Sequence, residues 1–400
     1  MSFATAFEEL PLAGLLERAR AATDDAVRAS LGQSVRSLED FAHLLSPAAS
    51  KHLEAMGRRS QALTRQRFGR VIRLFAPLYL SNECINNCCY CGFSRDNPIR
   101  RVTLSVEEVL REARALGEEG FRNLLLVAGE HPRLISRRYL RDCIAALHAE
   151  VPSLSLEIGP LDTDAYRSLV EAGADGLVIY QETYDRGLYA ALHTAGPKRD
   201  FGWRIETPER AYAAGFRRLG IGALYGLADW RAEALCVAAH ALHLLCYCWK
   251  ASLTISLPRL RPCAGAFQPL THLADRELAQ LLCAFRLLLP DVGLVLSTRE
   301  PAALRDGLIP LGITLISAGS HTEPGGYTGA GREKTHITRR GRVLDSGDEP
   351  CRSVSPHPGA TDAEVQFAIA DARSASEVSA RLRSLGYDPV WKDWDTALAS

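Results

Sequence analysis

The stretch "APLYLSNECINNCCYCGF", residues 76–93, joins two unlike patterns. Its first six residues are apolar enough for a buried strand, and the remainder carries four cysteines at positions 84, 88, 89 and 91. Cys84, Cys88 and Cys91 form a Cys-x3-Cys-x2-Cys loop that offers three thiolates on one compact turn directly after a strand. Three thiolates bind three irons of a [4Fe–4S] cluster and leave the fourth iron without a protein ligand. An open metal position suits a catalytic site rather than a closed structural one. Cys89 lies between two ligands and is expected to point away, while Tyr90 and Phe93 shield the cluster with apolar surface. Two other readings compete. Zinc would want a fourth Cys or His, and the nearest histidine, His131, is one strand away. An electron-transfer cluster would take Cys89 as its fourth ligand, although adjacent residues rarely both reach one cluster.

Outward from this stretch the text alternates. Apolar runs with the length of strands are "APLYLS", "NLLLVAGE", "SLSLEIGPL", "GLVIYQET", "RLGIGALYGL", "LTISLPRL", "GLVLSTRE" and "ITLISAGS". Helical patterns lie between them, several stopping at a glycine just before the next strand, as at Gly120, Gly173 and Gly215. Eight such strands predict an α/β fold with a parallel sheet, closed into a (β/α)8 TIM-type barrel. The alternative is an open doubly wound sheet, but no G-x-G-x-x-G opens a first helix. Barrel chemistry sits where strands end. Asn82, Glu83, Glu130, His131, Glu157, Gln181, Glu182, Arg259, Arg261, Arg299, Glu300 and Ser317 all fall at or just past strand ends, which points to one shared cavity.

The predicted organisation is an N-terminal helical extension over residues 1–70, the barrel over 71–325, an exposed insertion loop over 326–363, and a C-terminal helix and tail over 364–400 packing back on the barrel. The insertion is rich in Gly, Ser, Pro and charge, with little to bury. Forty-seven basic residues balance 47 acidic ones, so no nucleic acid or membrane surface is expected as partner. With acidic residues early and no apolar h-region at the N-terminus, no secretory signal is expected, and no run of about 18 uncharged apolar residues suggests a membrane span. Eleven cysteines in a long chain without a signal are better read as reduced thiols than as disulfides, so the protein is expected to be cytoplasmic.

The three-cysteine loop, with an aromatic residue before its third cysteine and placed after the first barrel strand, resembles the signature of the radical S-adenosylmethionine (SAM) enzymes. Together with "LLLVAGEHP", "VIYQETY", "RLRPC", "LSTRE" and "GYDPVWKDWD", it is similar to the tyrosine lyases, the 2-iminoacetate synthases of bacterial thiamine thiazole synthesis. The resemblance covers roughly residues 70 to 325 and about 364 to 395. It implies that Cys84, Cys88 and Cys91 hold one [4Fe–4S] cluster, whose open iron is chelated by SAM. It further implies cleavage of SAM to methionine and 5′-deoxyadenosine, with Cα–Cβ fragmentation of L-tyrosine to 2-iminoacetate (dehydroglycine) and 4-cresol. Thiazole synthase is the implied protein partner, with an electron donor such as flavodoxin or ferredoxin.

Gly129 permits close backbone approach to SAM, and Glu130 can accept a hydrogen bond from its ammonium. Glu157 is expected at the ribose hydroxyls, Arg204 at the SAM carboxylate, and Tyr90 beside the cofactor. Arg299 and Ser317 are the candidates for the tyrosine carboxylate, because a guanidinium fork binds that group bidentately. Arg259 and Arg261 are rivals, placed on one face by strand alternation. Tyr90, Gln181, Glu182 and Tyr225 are further expected to line the cavity. A tryptophan-acting relative or a hydrogenase maturase is the alternative lyase. The maturases carry an additional C-terminal cysteine set, whereas here only Cys351 lies beyond Cys283.

Overall fold

The computed structural model describes residues 2–35, 37–340, 342–343 and 364–391. Eight parallel strands close into a barrel: β1 (Val71–Ser81), β2 (Asn123–Ala128), β3 (Ser153–Glu157), β4 (Gly176–Val178), β5 (Arg218–Gly222), β6 (Ser252–Ser256), β7 (Gly293–Leu296) and β8 (Leu315–Ser317). Closure comes from β8 pairing with β1, Arg73 opposite Leu315 and Phe75 opposite Ser317. The expected (β/α)8 barrel is therefore the fold. β2 is buried along nearly its whole length, as a strand must be when helices cover one face and the barrel interior the other.

Glycine ends the helices where the sequence pattern places it. Gly120, Gly173 and Gly215 have φ of 103°, 117° and 119°, a region that a residue with a Cβ rarely adopts. At Gly173 the space is also taken, since a Cβ there would lie 2.4 Å from His148 Cγ. Helix starts are equally local. Ser105 caps the helix Val106–Glu118 in a reciprocal box with Glu108.

Residues before the barrel form helices at Phe3–Glu8, Leu12–Ala21, Asp24–Gly32, Leu38–Leu44 and Leu53–Phe68. They lie on the helix layer rather than apart from it. Phe3 stacks on His240 at 4.0 Å, Phe41 meets Phe285 at 5.0 Å, and Gln280 donates to the carbonyls of Leu44 and Ser46 at 2.8 and 2.9 Å.

The segment expected as an exposed insertion is ordered where it begins. Residues His336–Arg339 pair antiparallel with Ile99–Arg101, and Thr338 is buried against Arg101. That edge offers backbone donors and acceptors that polar text can satisfy without burying apolar surface, which a composition argument overlooks. Residues 344–363, with Cys351, lie outside the described residues, as do residues 392–400 with the end of the motif "GYDPVWKDWD".

From Glu364 the chain crosses the barrel mouth, forms the helix Ala375–Ser384, and ends in β9 (Asp388–Val390), which pairs parallel with the start of β1. Trp391 packs edge-on against Phe121 at 5.1 Å. The anchor of this segment is a fully buried ion pair between Arg305 and Asp371, with Arg373 bridging Asp371 and Asp306. Asp371→Ala strands the Arg305 guanidinium in the interior, so it is expected to destabilise the fold by about 3–5 kcal/mol in urea unfolding. A loss under about 1 kcal/mol would show that the pair does not anchor the segment.

Candidate active site

The loop that follows β1 is held from both ends by one buried side chain. Arg101, 1% exposed, donates to the carbonyls of Asn82 at 2.7 Å, Phe93 at 3.0 Å and Ser94 at 2.8 Å. Asn97 donates to the carbonyls of Cys91, Gly92 and Ala264. The two-residue strand Asn87–Cys88 pairs with His193–Ala195, and Asn86 links the loop to Glu130 (2.7 Å) and to the Lys198 N–H (2.9 Å). Within this brace Cys84, Cys88 and Cys91 line a single cavity, whereas Cys89 is exposed.

The thiols fit the group that the sequence implies. Burial, reinforced for Cys91 by the neighbouring Cys84, pushes the Cys91 thiol up to about 12, and burial raises Cys88 as well. Three clustered thiolates are therefore unfavourable without positive charge, and coordination supplies it while releasing the protons. The Glu130 N–H points at Cys84 Sγ at 3.5 Å, a contact of the kind that tunes a cluster thiolate. Three sulfur ligands suit a cubane, which spreads them over three irons. Backbone has also been kept close. A Cβ on Gly129 would lie 2.2 Å from the Glu83 carbonyl oxygen, and one on Gly159 would lie 2.6 Å from Glu130 Cδ.

Glu130, Glu157 and Arg204 line the same cavity of about 600 Å³, together with Glu182 and Lys198. Lys198 Nζ is 2.6 Å and Arg204 Nη2 3.5 Å from Glu182 Oε1, and Arg204 Nε donates to the Tyr180 carbonyl at 2.7 Å. Burial would raise Glu182, but the two cations outweigh it and hold the carboxyl below its ordinary value. Lys198 and Arg204 thus converge on one carboxylate of a wall that also carries Glu130 and Glu157. Glu182 adopts φ 71°, a strained conformation for a non-glycine residue that aims this charge set.

A second chamber of about 680 Å³ shares Glu157, Tyr180 and Val127 with the first, so the two adjoin at that wall. It holds Arg299, Ser317, Tyr79 and Phe367. Arg299 makes no ion pair among the described residues, and its guanidinium lies 3.3 Å from the centre of the Phe367 ring. Ser317 Oγ accepts from the Thr298 N–H at 3.1 Å. Glu157, at the junction, has its carboxyl raised to about 7 by burial and by Glu182, against the opposing pull of Arg299, Lys198 and Arg204.

Several expected lining residues lie elsewhere. Arg259 is committed to Glu300 (3.0 Å from Nε), Asp275 and the Leu273 carbonyl, and Arg261 also reaches Glu300 at 3.0 Å. Neither lines the chamber, because Glu300 beside Arg299 supplies their counter-charge. Tyr90 turns away from the cavity and bonds its hydroxyl to His193 Nε2 at 2.7 Å. Gln181 instead faces the Phe201 carbonyl at 3.5 Å, and the buried Tyr225 side chain lies near Glu233 and Cys236. Sequence reasoning missed Lys198, Tyr79, Tyr180, Gln366 and Phe367. For Lys198 a local signal existed: Gly196 (φ 85°), immediately before "PKR", brings the backbone against Asn86 of the cysteine loop.

A closed (β/α)8 barrel whose first strand delivers three cysteines to a cavity at its mouth is the architecture of a radical SAM enzyme. The Radical SAM superfamily model matches residues 78–236, and the Biotin and Thiamin Synthesis associated domain matches residues 256–388. The chain is 43% identical over 373 residues to the 2-iminoacetate synthase of Escherichia coli (strain K12), covering 93% of this chain and 91% of that one. It is 41% identical over 374 residues to the enzyme of the same name from Salmonella typhimurium, with the same coverage. Among solved structures, the [FeFe]-hydrogenase maturase HydG from Carboxydothermus hydrogenoformans superposes with a TM-score of 0.82 at 32% identity, over 97% of this chain and 84% of that one. The chain belongs to the 2-iminoacetate synthase family. With that family it shares one [4Fe–4S] cluster and SAM as cofactors.

The exposure of Cys89 gives a direct test of the triad. Cys89→Ser is expected to retain near wild-type iron after anaerobic reconstitution, while Cys88→Ser loses most of it. Equal loss in the two variants, by iron assay and visible absorption, would overturn the assignment of ligands.

Proposed function

We propose that the chain is a radical SAM lyase that cleaves the Cα–Cβ bond of L-tyrosine, giving 2-iminoacetate and 4-cresol for thiamine thiazole synthesis. The observation that carries this reading is identity of 43% along 93% of the chain, joined to a cysteine cavity that adjoins a chamber whose arginine makes no ion pair among the described residues. When bound, the cluster supplies the electron that converts SAM to methionine and a 5′-deoxyadenosyl radical.

The chain's own residues hold and orient. Cys84, Cys88 and Cys91 take the cluster. Lys198 and Arg204 line the cavity in which the SAM carboxylate would sit, and Arg204 is its ligand. Gly129 and Glu130 receive the SAM amino group. Glu157, standing between the two chambers, meets the ribose on one side and looks toward Arg299 on the other. Arg299 and Ser317 take the tyrosine carboxylate. A half-buried arginine without a carboxylate partner is an expensive arrangement unless an anionic ligand completes it. Tyr79, Tyr180 and Phe367 line the chamber with aromatic surface, which limits water around a reactive radical.

The imine is passed to thiazole synthase as protein partner, and flavodoxin or ferredoxin supplies the electron. Among the described residues no helix is long and apolar enough to cross a membrane. A cytoplasmic location, where thiols stay reduced, suits the cysteine loop.

The test is an anaerobic assay of reconstituted protein with SAM, reductant and either tyrosine or tryptophan. 5′-Deoxyadenosine with 4-cresol from tyrosine is the expected outcome; turnover with tryptophan alone would overturn the substrate. Arg299→Lys, which keeps the charge but loses the fork, is expected to weaken tyrosine binding by about 1.5–3 kcal/mol. An unchanged KM would remove Arg299 from the clamp.

A further inference from the structure

Residues 364–371 cross the mouth of the barrel as an extended segment without regular secondary structure, yet their backbone is fastened to a succession of loops. The Glu364 N–H donates to the Arg100 carbonyl at 3.0 Å, and the Gln366 N–H to that of Thr322 at 2.9 Å. Gly92, next to Cys91, donates its N–H to the Gln366 carbonyl at 3.0 Å. Further along, Ala368 bonds to Pro262 at 2.8 Å, and Ala370 and Asp371 share the Thr298 carbonyl at 2.9 and 3.1 Å. Contact at Gly92 is tight, for a Cβ there would lie 2.4 Å from the Val365 carbonyl oxygen. The strap is thus part of the wall.

Two of its side chains enter the site. Gln366 lines the cysteine cavity and accepts a hydrogen bond from the Tyr79 hydroxyl at 2.7 Å. Phe367 enters the second chamber and lies flat enough on Arg299 to bring its ring centre within 3.3 Å of Cζ. The Phe367 backbone is fixed in turn, its carbonyl accepting from Thr322 Oγ1 at 2.9 Å.

The chemistry of this stack is specific. A guanidinium presents all five N–H donors in its plane, and its faces are weakly hydrated. An aromatic ring against one face consumes no donor, fixes the plane, and favours the charged form through the ring quadrupole. The in-plane edge stays available for a planar, bidentate acceptor. The geometry points to Phe367 as a positioning residue for the α-carboxylate of the amino-acid substrate, acting through Arg299. This rests on the reading of Arg299 as the substrate clamp. The residue that sets the clamp therefore comes from the C-terminal strap, outside the eight strands and their immediate loops.

The test uses the full chain, reconstituted anaerobically, with iron content and SAM binding checked against wild type. Binding of tyrosine and of tyrosine amide, which lacks the anionic carboxylate, is measured by equilibrium dialysis and so does not depend on turnover. Phe367→Leu keeps an apolar side chain but removes the flat face, and is expected to weaken tyrosine binding about five- to tenfold while leaving the amide within about twofold. Phe367→Tyr restores wild-type binding. In an Arg299→Lys background, Phe367→Leu adds less than about twofold, because the contact it removes is already broken. Equal weakening for tyrosine and the amide, or full additivity with Arg299→Lys, would mean that Phe367 merely fills the chamber, and would overturn the inference. If Phe367→Leu fails to hold iron, Phe367→Met carries the same comparison. Wild-type binding that ignores the carboxylate would overturn both this inference and the role of Arg299. A wild type that distinguishes the two ligands but yields no 4-cresol would overturn the lyase reading alone.

Discussion

Arg101 is where sequence-distant parts of this site become one object. Its guanidinium takes the carbonyl of Asn82 at the entrance of the cysteine loop and those of Phe93 and Ser94 at its exit. Closing a loop and freezing its residues costs conformational entropy of about 1–2 kcal/mol per residue. Here much of that ordering is built into the protein, so the thiols are already gathered in one cavity. A carboxylate in the place of those carbonyls would have neutralised Arg101 but would also have put negative charge beside thiols that become thiolates. Main-chain acceptors satisfy the fork without that penalty, while Glu83 and the cysteines favour its charged state against burial.

Charge then grades across the two chambers. Near the cysteines, Lys198 and Arg204 converge on Glu182 and bring positive charge to the wall where thiolates and an anionic cofactor carboxylate would sit. In the far chamber Arg299 stands on an aromatic face, with no carboxylate of the described residues in ion-pair distance. Glu157 lies between these fields, and burial holds its carboxyl near neutrality. A fully charged carboxylate at that point would neutralise one set of cations or the other. A carboxyl poised near 7 lets the two sites keep separate acceptors.

What was legible in the sequence was local. Strand runs, glycine stops and the cysteine spacing are determined by neighbours within about ten residues, and each lies where pattern places it. Alternation correctly put Arg259 and Arg261 together, since both meet Glu300. It could not show which arginine keeps an open fork, because that depends on the Arg259–Glu300 contact, formed across 41 positions. Glu300, next to Arg299 in the chain, is taken by Arg259 and Arg261. Phe367 carried no pattern at all. One aromatic residue in "EVQFAIA" reads as an ordinary apolar position, and its function comes from a strap whose path is fixed by carbonyls of four different loops. The pairing of His336–Arg339 in the insertion was missed for a related reason: composition registers what a segment can bury, and not which unpaired strand edge it can complete.

The buried Arg305–Asp371 pair shows why that path is fixed by charge rather than by apolar packing. Replacing such a pair with hydrophobic residues is often neutral or stabilising, so stability alone does not account for it. Arg305 also donates to the carbonyl of Ser317, whose hydroxyl faces the second chamber, while the Asp371 N–H bonds to the Thr298 carbonyl beside Arg299. One ion pair therefore registers the strap against the ends of both β7 and β8. Apolar packing would tolerate a slip of an ångström along the strap; a directional pair, with Arg305 also bonded to the Ser317 carbonyl and Asp371 also bonded to Arg373, does not. Since the Phe367 ring must lie flat on a guanidinium to leave its edge free, that register is what the clamp requires.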